Sequence, residues 1–127
     1  MIEGLIRSVL ITVPQISGYT DKIFRVSAPE GTKTPYIVIN ANDEPDDSDV
    51  LALFDIDINI YDYSENRTQI RSVSKAIKNA LHFTEFPSFE EYETIRMYFK
   101  NRNTVKEKQS TLVNITLTFS ARATENI

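Results

Sequence analysis

The stretch Val50-Leu-Ala-Leu-Phe-Asp-Ile-Asp-Ile-Asn-Ile-Tyr-Asp-Tyr-Ser64 decides how this chain is read. Its even positions, Val50, Ala52, Phe54, Ile56, Ile58 and Ile60, are all apolar. On the odd positions, Asp55, Asp57, Asn59, Tyr61 and Tyr63 are polar or amphipathic. Side chains alternate across a strand, so one face suits a core and the other suits water or a partner. Burying Phe54 and the three isoleucines is worth about 1.5–3 kcal/mol each before entropy is charged. No other segment offers so large a one-sided surface, and it is predicted to be the central strand. Ser64 follows as a natural N-cap, with Glu65 in the first turn, where the helix dipole favours an anion. A helix is predicted from there to about His82, with Ile70, Val73, Ile77, Ala80 and Leu81 on one face. Its opposite side carries the basic stripe Arg67, Arg71, Lys75 and Lys78.

Upstream, Ile2, Leu5, Ile6, Val9, Leu10 and Val13 recur at helical spacing, with Glu3, Arg7, Ser8 and Thr12 on the other side. This predicts an amphipathic helix of about three turns, ended by Pro14, which biases Val13 away from helical geometry. Ile23 to Ser27 is a short strand candidate, closed by Pro29-Glu30-Gly31. Tyr36-Ile37-Val38-Ile39 after Pro35 reads as a second strand, buried on both faces at its start. Downstream, Phe83 to Phe89 contains Pro87 and reads as a loop with aromatic anchors. Ile95, Met97 and Phe99 alternate with Arg96, Tyr98 and Lys100. Val113, Ile115, Leu117 and Phe119 alternate with Asn114, Thr116, Thr118 and Ser120. These form a predicted hairpin with a long basic tip, and the tail after Arg122 is expected to fray. The order is helix, strand, strand, strand, helix, strand, strand, without internal repeat or linker.

The 127 residues suit one domain, 1–127, with room for a core. Hydrophobic residues at 41% and charged residues at 25% are ordinary for a globular protein, which argues against disorder of the whole chain. A net charge of −4 and a pI near 5.0 argue against a global electrostatic footprint for nucleic acid. Without cysteine, neither a disulfide framework nor a thiolate metal site is available. The apolar runs fall short of a membrane span. Glu3 and Arg7 interrupt the first apolar stretch, so it does not read as a signal peptide, and the protein is expected to act in the cytosol or wherever it is carried after assembly there.

Catalytic chemistry finds little support. His82 is the single histidine, better explained by the helix dipole or solvent than as a base, so a nucleophile–base–orienter set has no obvious members. With three glycines there is no phosphate-cradling loop. Asp43, Glu44, Asp46, Asp47 and Asp49 crowd around Pro45 in an exposed acidic loop. That loop lacks the alternating ligands, central glycine and distal Glu of a calcium-binding EF-hand. Asp55 and Asp57 share a strand face and could share a cation, but a wetted sheet face is the favoured reading. The helix stripe could touch phosphate, yet aromatics are sparse among the basic residues, Tyr98 being the one candidate, and a solvated face is favoured. What stands out is charge separation. Lys100, Arg102, Lys106 and Lys108 against Glu107 leave a local balance of +3 from Lys100 to Lys108, opposite in sign to the acidic loop. Such a surface can self-associate head to tail, and heterologous contacts of that kind form rings when the rotation closes.

Taken together, the N-terminal amphipathic helix from Ile2, the short strand from Ile23 leading to Pro29, and Pro35-Tyr36-Ile37-Val38-Ile39 form a familiar series. It continues with Ile56 to Asp62 followed by Tyr63-Ser64, the helix ending in Ala80-Leu81, and the closing strand from Leu112 to Ser120. In this order the chain resembles the tail-completion proteins of long-tailed bacteriophages and prophages, also called tail terminators or head–tail joining proteins. The acidic loop is not a feature expected of that family generally. The resemblance implies an α+β fold with a mixed, mainly antiparallel sheet of about four to five strands and two helices packed on one face. It implies no enzymatic activity and no cofactor. It further implies a hexameric ring of copies that caps the tail tube, ends its polymerisation and docks to the head connector at the head–tail interface of the virion, after assembly in the host cytoplasm. DNA would pass through the lumen without sequence-specific binding, and an acidic chain suits that passage because a negative lumen repels phosphate. The candidate contact residues are Asp43, Glu44, Asp46, Asp47, Asp49, Asp55, Asp57, Lys100, Arg102, Lys106 and Lys108. A rival reading is a small cytosolic binding or regulatory α+β domain using the face around Asp55, Asp57 and Tyr61. A third is a non-specific nucleic-acid binder using the second helix.

Overall fold

The computed structural model describes residues 2–42, 51–89, 92–106 and 112–125. Helix α1 (Ile2–Leu10) and the single turn α2 (Pro14–Ser17) precede strands β1 (Ile23–Arg25), β2 (Tyr36–Asn42) and β3 (Leu51–Tyr63). A 3-10 turn (Ser64–Asn66) leads into α3 (Arg67–Leu81), followed by β4 (Glu85–Phe89), β5 (Tyr92–Lys106) and β6 (Leu112–Glu125). The six strands form one sheet in the order β1-β2-β3-β6-β5-β4. β1 joins β2 in parallel and the other pairings are antiparallel, so the sheet is mixed and mainly antiparallel as expected. It has six strands rather than four or five.

The additional strand is β4, in the stretch expected to be an aromatic loop. Pro87 argued against a strand there, but β4 lies at the sheet edge, where the missing N–H of a proline is tolerated. β5 and β6 are also longer than expected. β6 pairs with β3 from Leu51↔Thr124 to Tyr63↔Leu112, so residues 123–125 are held in the sheet instead of fraying. β5 follows the opposite edge of β6 as far as Lys106↔Val113. Lys100, Arg102 and Lys106 therefore lie within a strand and not in a hairpin tip. A strand left unpaired along one side would expose a row of backbone donors and acceptors, and polar side chains do not prevent its pairing.

The alternation of β3 is realised as predicted where its side chains are described. Ile56, Ile58 and Ile60 are buried completely, while Asp55, Asp57, Asn59 and Tyr61 are half-buried. Val50 and the side chains of Ala52 and Phe54 lie outside the described residues. Ile37 and Ile39 of β2 share the core with Ile115, Leu117 and Phe119 of β6 and with Ile95 and Met97 of β5. Val38 is buried too, on the opposite face, where the register places it beside Phe24 and Asn59. Ile2, Ile6 and Leu10 of α1, Ile16 of α2 and Ile70, Val73, Ile77 and Leu81 of α3 close the same core. The two longer helices thus pack on one face, as expected.

The helix ends differ from expectation. α1 stops at Leu10, and Pro14 opens a new turn instead of merely ending an old one, with Val13 extended at φ −89° and ψ 114° before it. Glu3, placed by its charge on the polar side, is buried, because positions 3, 6 and 10 fall on one helical stripe. Ser64 does not cap α3, since no side-chain cap bond is made at either the 3-10 turn or the helix start. The polar anchor beside that turn is Asp62. It is on the even, core-facing side of β3 and is buried. Its Oδ1 accepts from the Tyr63 N–H at 2.7 Å and the Asn66 Nδ2 at 3.0 Å, and its Oδ2 accepts from the Tyr19 hydroxyl. Burial, then the hydrogen bond to Asp62 and its charge, push the Tyr19 phenol far above its ordinary range. One carboxylate therefore ties the segment after α2, the end of β3 and the 3-10 turn before α3 together.

Removing that carboxylate is costly because it strands several donors at once. Asp62→Ala is expected to lower unfolding stability by about 2–3 kcal/mol and Tyr19→Phe by about 1 kcal/mol. In urea titrations the double variant should be no less stable than Asp62→Ala alone.

Candidate functional site

Two surfaces emerge, one on each side of the sheet. The outer face is built from the odd positions of β3 and their cross-strand neighbours. Thr118 Oγ1 donates to Asp57 Oδ1 and Thr116 Oγ1 donates to Asn59 Oδ1, both at 2.7 Å. Lys100 Nζ approaches both oxygens of Asp55 at 3.4 Å. Further along, Tyr61 stacks on Tyr36 with ring centroids 4.8 Å apart, and Tyr36 meets Phe24 edge-on. Burial, with a smaller contribution from Tyr36, raises the Tyr61 phenol above its ordinary value. Asp57 is engaged within the sheet, and Asp55 and Lys100, candidates from two separate charged groups, pair with one another in the same copy. Among the described residues no group of three or more His, Asp or Glu gathers as a metal site would require.

The inner face carries the second surface, which exists because of one irregularity. In β5 the register runs Phe99↔Phe119 and then Asn101↔Thr118, leaving Lys100 as an extra residue. Such a bulge reverses the in–out alternation beyond it. Before it, Ile95, Met97 and Phe99 face the core. After it, Arg102 and Thr104 take that side, opposite Leu117 and Ile115, while Asn101 and Asn103 join the outer face opposite Thr118 and Thr116. His82 helps hold the chain there. Its Nδ1 accepts the Phe99 N–H at 3.0 Å, tying the end of α3 to β5, instead of facing solvent or only complementing the helix dipole.

Arg102 is thereby brought opposite the basic stripe of α3. Arg71, Lys75 and Lys78 on the helix and Phe99, Arg102 and Leu117 on the strands line a groove of about 590 Å³. It continues, through shared Arg71 and Arg102, into a recess of about 240 Å³ lined by Arg67, Ile70, Thr104, Val113 and Ile115. Lys78 Nζ lies 4.6 Å from the centre of the Phe99 ring. Among the described residues no carboxylate lines either cavity, and none of Arg67, Arg71, Lys75, Lys78 and Arg102 has a carboxylate partner. The result is a cationic rim over an apolar floor.

Of the sequence-predicted contact residues, Asp55 and Lys100 are together on the outer face with Asp57, and Arg102 is on the inner face. Lys106 pairs with Val113 in the β5–β6 ladder, and its side chain lies outside the described residues. Asp43, Glu44, Asp46, Asp47, Asp49 and Lys108 lie outside the described residues. The pairing of Arg102 with the helix stripe was not legible. The one available signal was a mismatch of lengths: apolar alternation stops at Phe99 in β5 but continues to Val113 in β6.

The sequence matches the family described as tail completion protein gp17 over residues 4–124. Among solved structures, a chain from the virion of a native gene transfer agent particle is similar, with 14% identity and a TM-score of 0.76. That likeness covers 97% of this chain and 94% of the other, and at such identity it speaks for the fold. No curated protein matches.

The outer-face ion pair is exposed on both sides, 47% for Lys100 and 45% for Asp55, and such pairs contribute little. Lys100→Ala should change unfolding stability by no more than about 0.5 kcal/mol. Thr118→Val, which removes the donor to half-buried Asp57, should cost about 1 kcal/mol in the same denaturation assay.

Proposed function

The chain belongs to the tail completion protein gp17 family, and on that premise we propose that it is a non-enzymatic structural protein of a phage or prophage virion. It acts at the head–tail interface as a single domain spanning 1–127. Copies form a ring, a hexamer, that caps the tail tube, ends tube polymerisation and docks to the head connector, after assembly in the host cytoplasm. DNA passes through the ring without sequence-specific contact. The observation that carries this reading is the family match over nearly the whole chain, 4–124. The end-to-end likeness to a chain from the virion of a gene transfer agent particle supports it.

The geometry suits such a role. A ring subunit needs two different surfaces, because heterologous contacts join unlike patches of neighbouring copies. Here the uncovered outer face of the sheet presents Asp55, Asp57 and the Tyr36–Tyr61 stack, while the inner groove is cationic. The acidic segment 43–49 supplies the opposite charge. A small ligand-binding domain would instead be expected to enclose an apolar pocket with a few convergent polar groups. The groove beside α3 is open and charged.

Electron microscopy of the purified protein mixed with its own tail-tube protein tests the reading. Rings on tube ends, with tube length limited by their presence, are the expected result; tubes that keep growing with no protein at their tips would sink it. Asp55→Lys should leave circular dichroism unchanged, because Asp55 is half-exposed, and should reduce the fraction of capped tubes if the outer face is an interface.

A further inference from the structure

The groove between α3 and β5 has a property that no ring model alone requires. It gathers Arg67, Arg71, Lys75, Lys78 and Arg102 without a neutralising carboxylate among the described residues, in a chain whose net charge is −4. Like charges at such spacing repel, so the cluster is costly to the isolated subunit and creates a positive field that attracts an anionic partner. Its floor is apolar, with Phe99 and Leu117 below the cations. We propose that this groove is the receptor for the acidic segment 43–49 of a second copy of the chain, a reading that rests on the ring for the presence of that copy.

Three observations carry it. The first is charge complementarity: Asp43, Glu44, Asp46, Asp47 and Asp49 form the densest acidic run in the sequence, matched in number by the five cations of the groove. The second is topology. The segment joins Asn42 of β2 to Leu51 of β3, whereas the groove is lined by β6 and β5, on the other side of β3. The same segment of a neighbouring copy is free of that tether. The third is the surface chemistry. A duplex offers phosphates on a broad regular surface, whereas an open groove with an apolar floor beneath its cations fits a peptide carrying both carboxylates and small apolar atoms such as the Pro45 ring.

The test uses the full-length chain and a fluorescein-labelled peptide spanning Asn42–Val50, read by fluorescence anisotropy. Binding is expected to weaken about tenfold or more between low and physiological salt. The exposed double substitution Arg71→Glu with Lys75→Glu, whose folding is checked by circular dichroism, should weaken it at least about tenfold, whereas Lys75→Arg should retain it. A peptide with all five acids amidated should not bind. Absence of peptide binding, or binding indifferent to the double substitution, overturns the proposal. So does a short DNA duplex that binds in a groove-dependent way where the peptide does not, which would assign the groove to nucleic acid. Microscopy on tubes separates this from the ring reading. Rings that persist in the double variant leave the ring intact and refute the groove contact. Wild-type chain that never caps tubes refutes the ring, while the peptide still reports on the groove.

Discussion

The backbone ladder between β3 and β6 is the constraint on which the rest of the structure depends. It runs unbroken from Leu51↔Thr124 to Tyr63↔Leu112 at the middle of the six-stranded sheet. Because pleating alternates side chains, this single register decides that Ile56, Ile58 and Ile60 meet Phe119, Leu117 and Ile115 on one face. It likewise places Asp55, Asp57 and Asn59 beside Ser120, Thr118 and Thr116 on the other. A slip of one residue would bury the carboxylates and expose the isoleucines. α1, α2 and α3 then have only one apolar surface to cover, and all three contribute to the same core.

Asp62 marks the place where this ladder hands over to the helices. The alternation that buries isoleucine at 56, 58 and 60 also carries position 62 inward, so a carboxylate is buried where its oxygens accept from Tyr19, Tyr63 and Asn66. A buried anion is tolerable only when its lone pairs are met. Here that requirement anchors the 3-10 turn that leads into α3.

One extra residue, Lys100, turns this scaffold into a two-sided surface. Without the bulge, the alternation of Ile95, Met97 and Phe99 would continue and Arg102 would face outward with Arg96 and Tyr98. With it, Arg102 faces the helix and the groove gains its strand-side cation. Sequence identity of 14% to a chain of similar fold shows how little of the fold depends on particular side chains. A pattern of apolar and polar positions is sufficient to specify the sheet.

Much of the fold was legible from residues 50–64 and their neighbours. Periodicity identified β2, β3, α3 and the core of the β5–β6 hairpin, and the family resemblance rested on the order of those elements. Periodicity is local, however, and three features depend on partners far along the chain. β4 forms despite Pro87 because it occupies an edge, and only the completed sheet defines an edge. Residues 101–106 are held in β5 because β6 has a free side to satisfy, a demand of the neighbouring backbone that the polar side chains of β5 do not reveal. The basic groove joins a helix stripe to a strand residue whose facing was reversed by a bulge. Composition and alternation thus determined which residues seek the core, since burial preference belongs to the residue. Which charged residues share a surface was decided by tertiary structure alone, since that depends on register, and register belongs to pairs of strands.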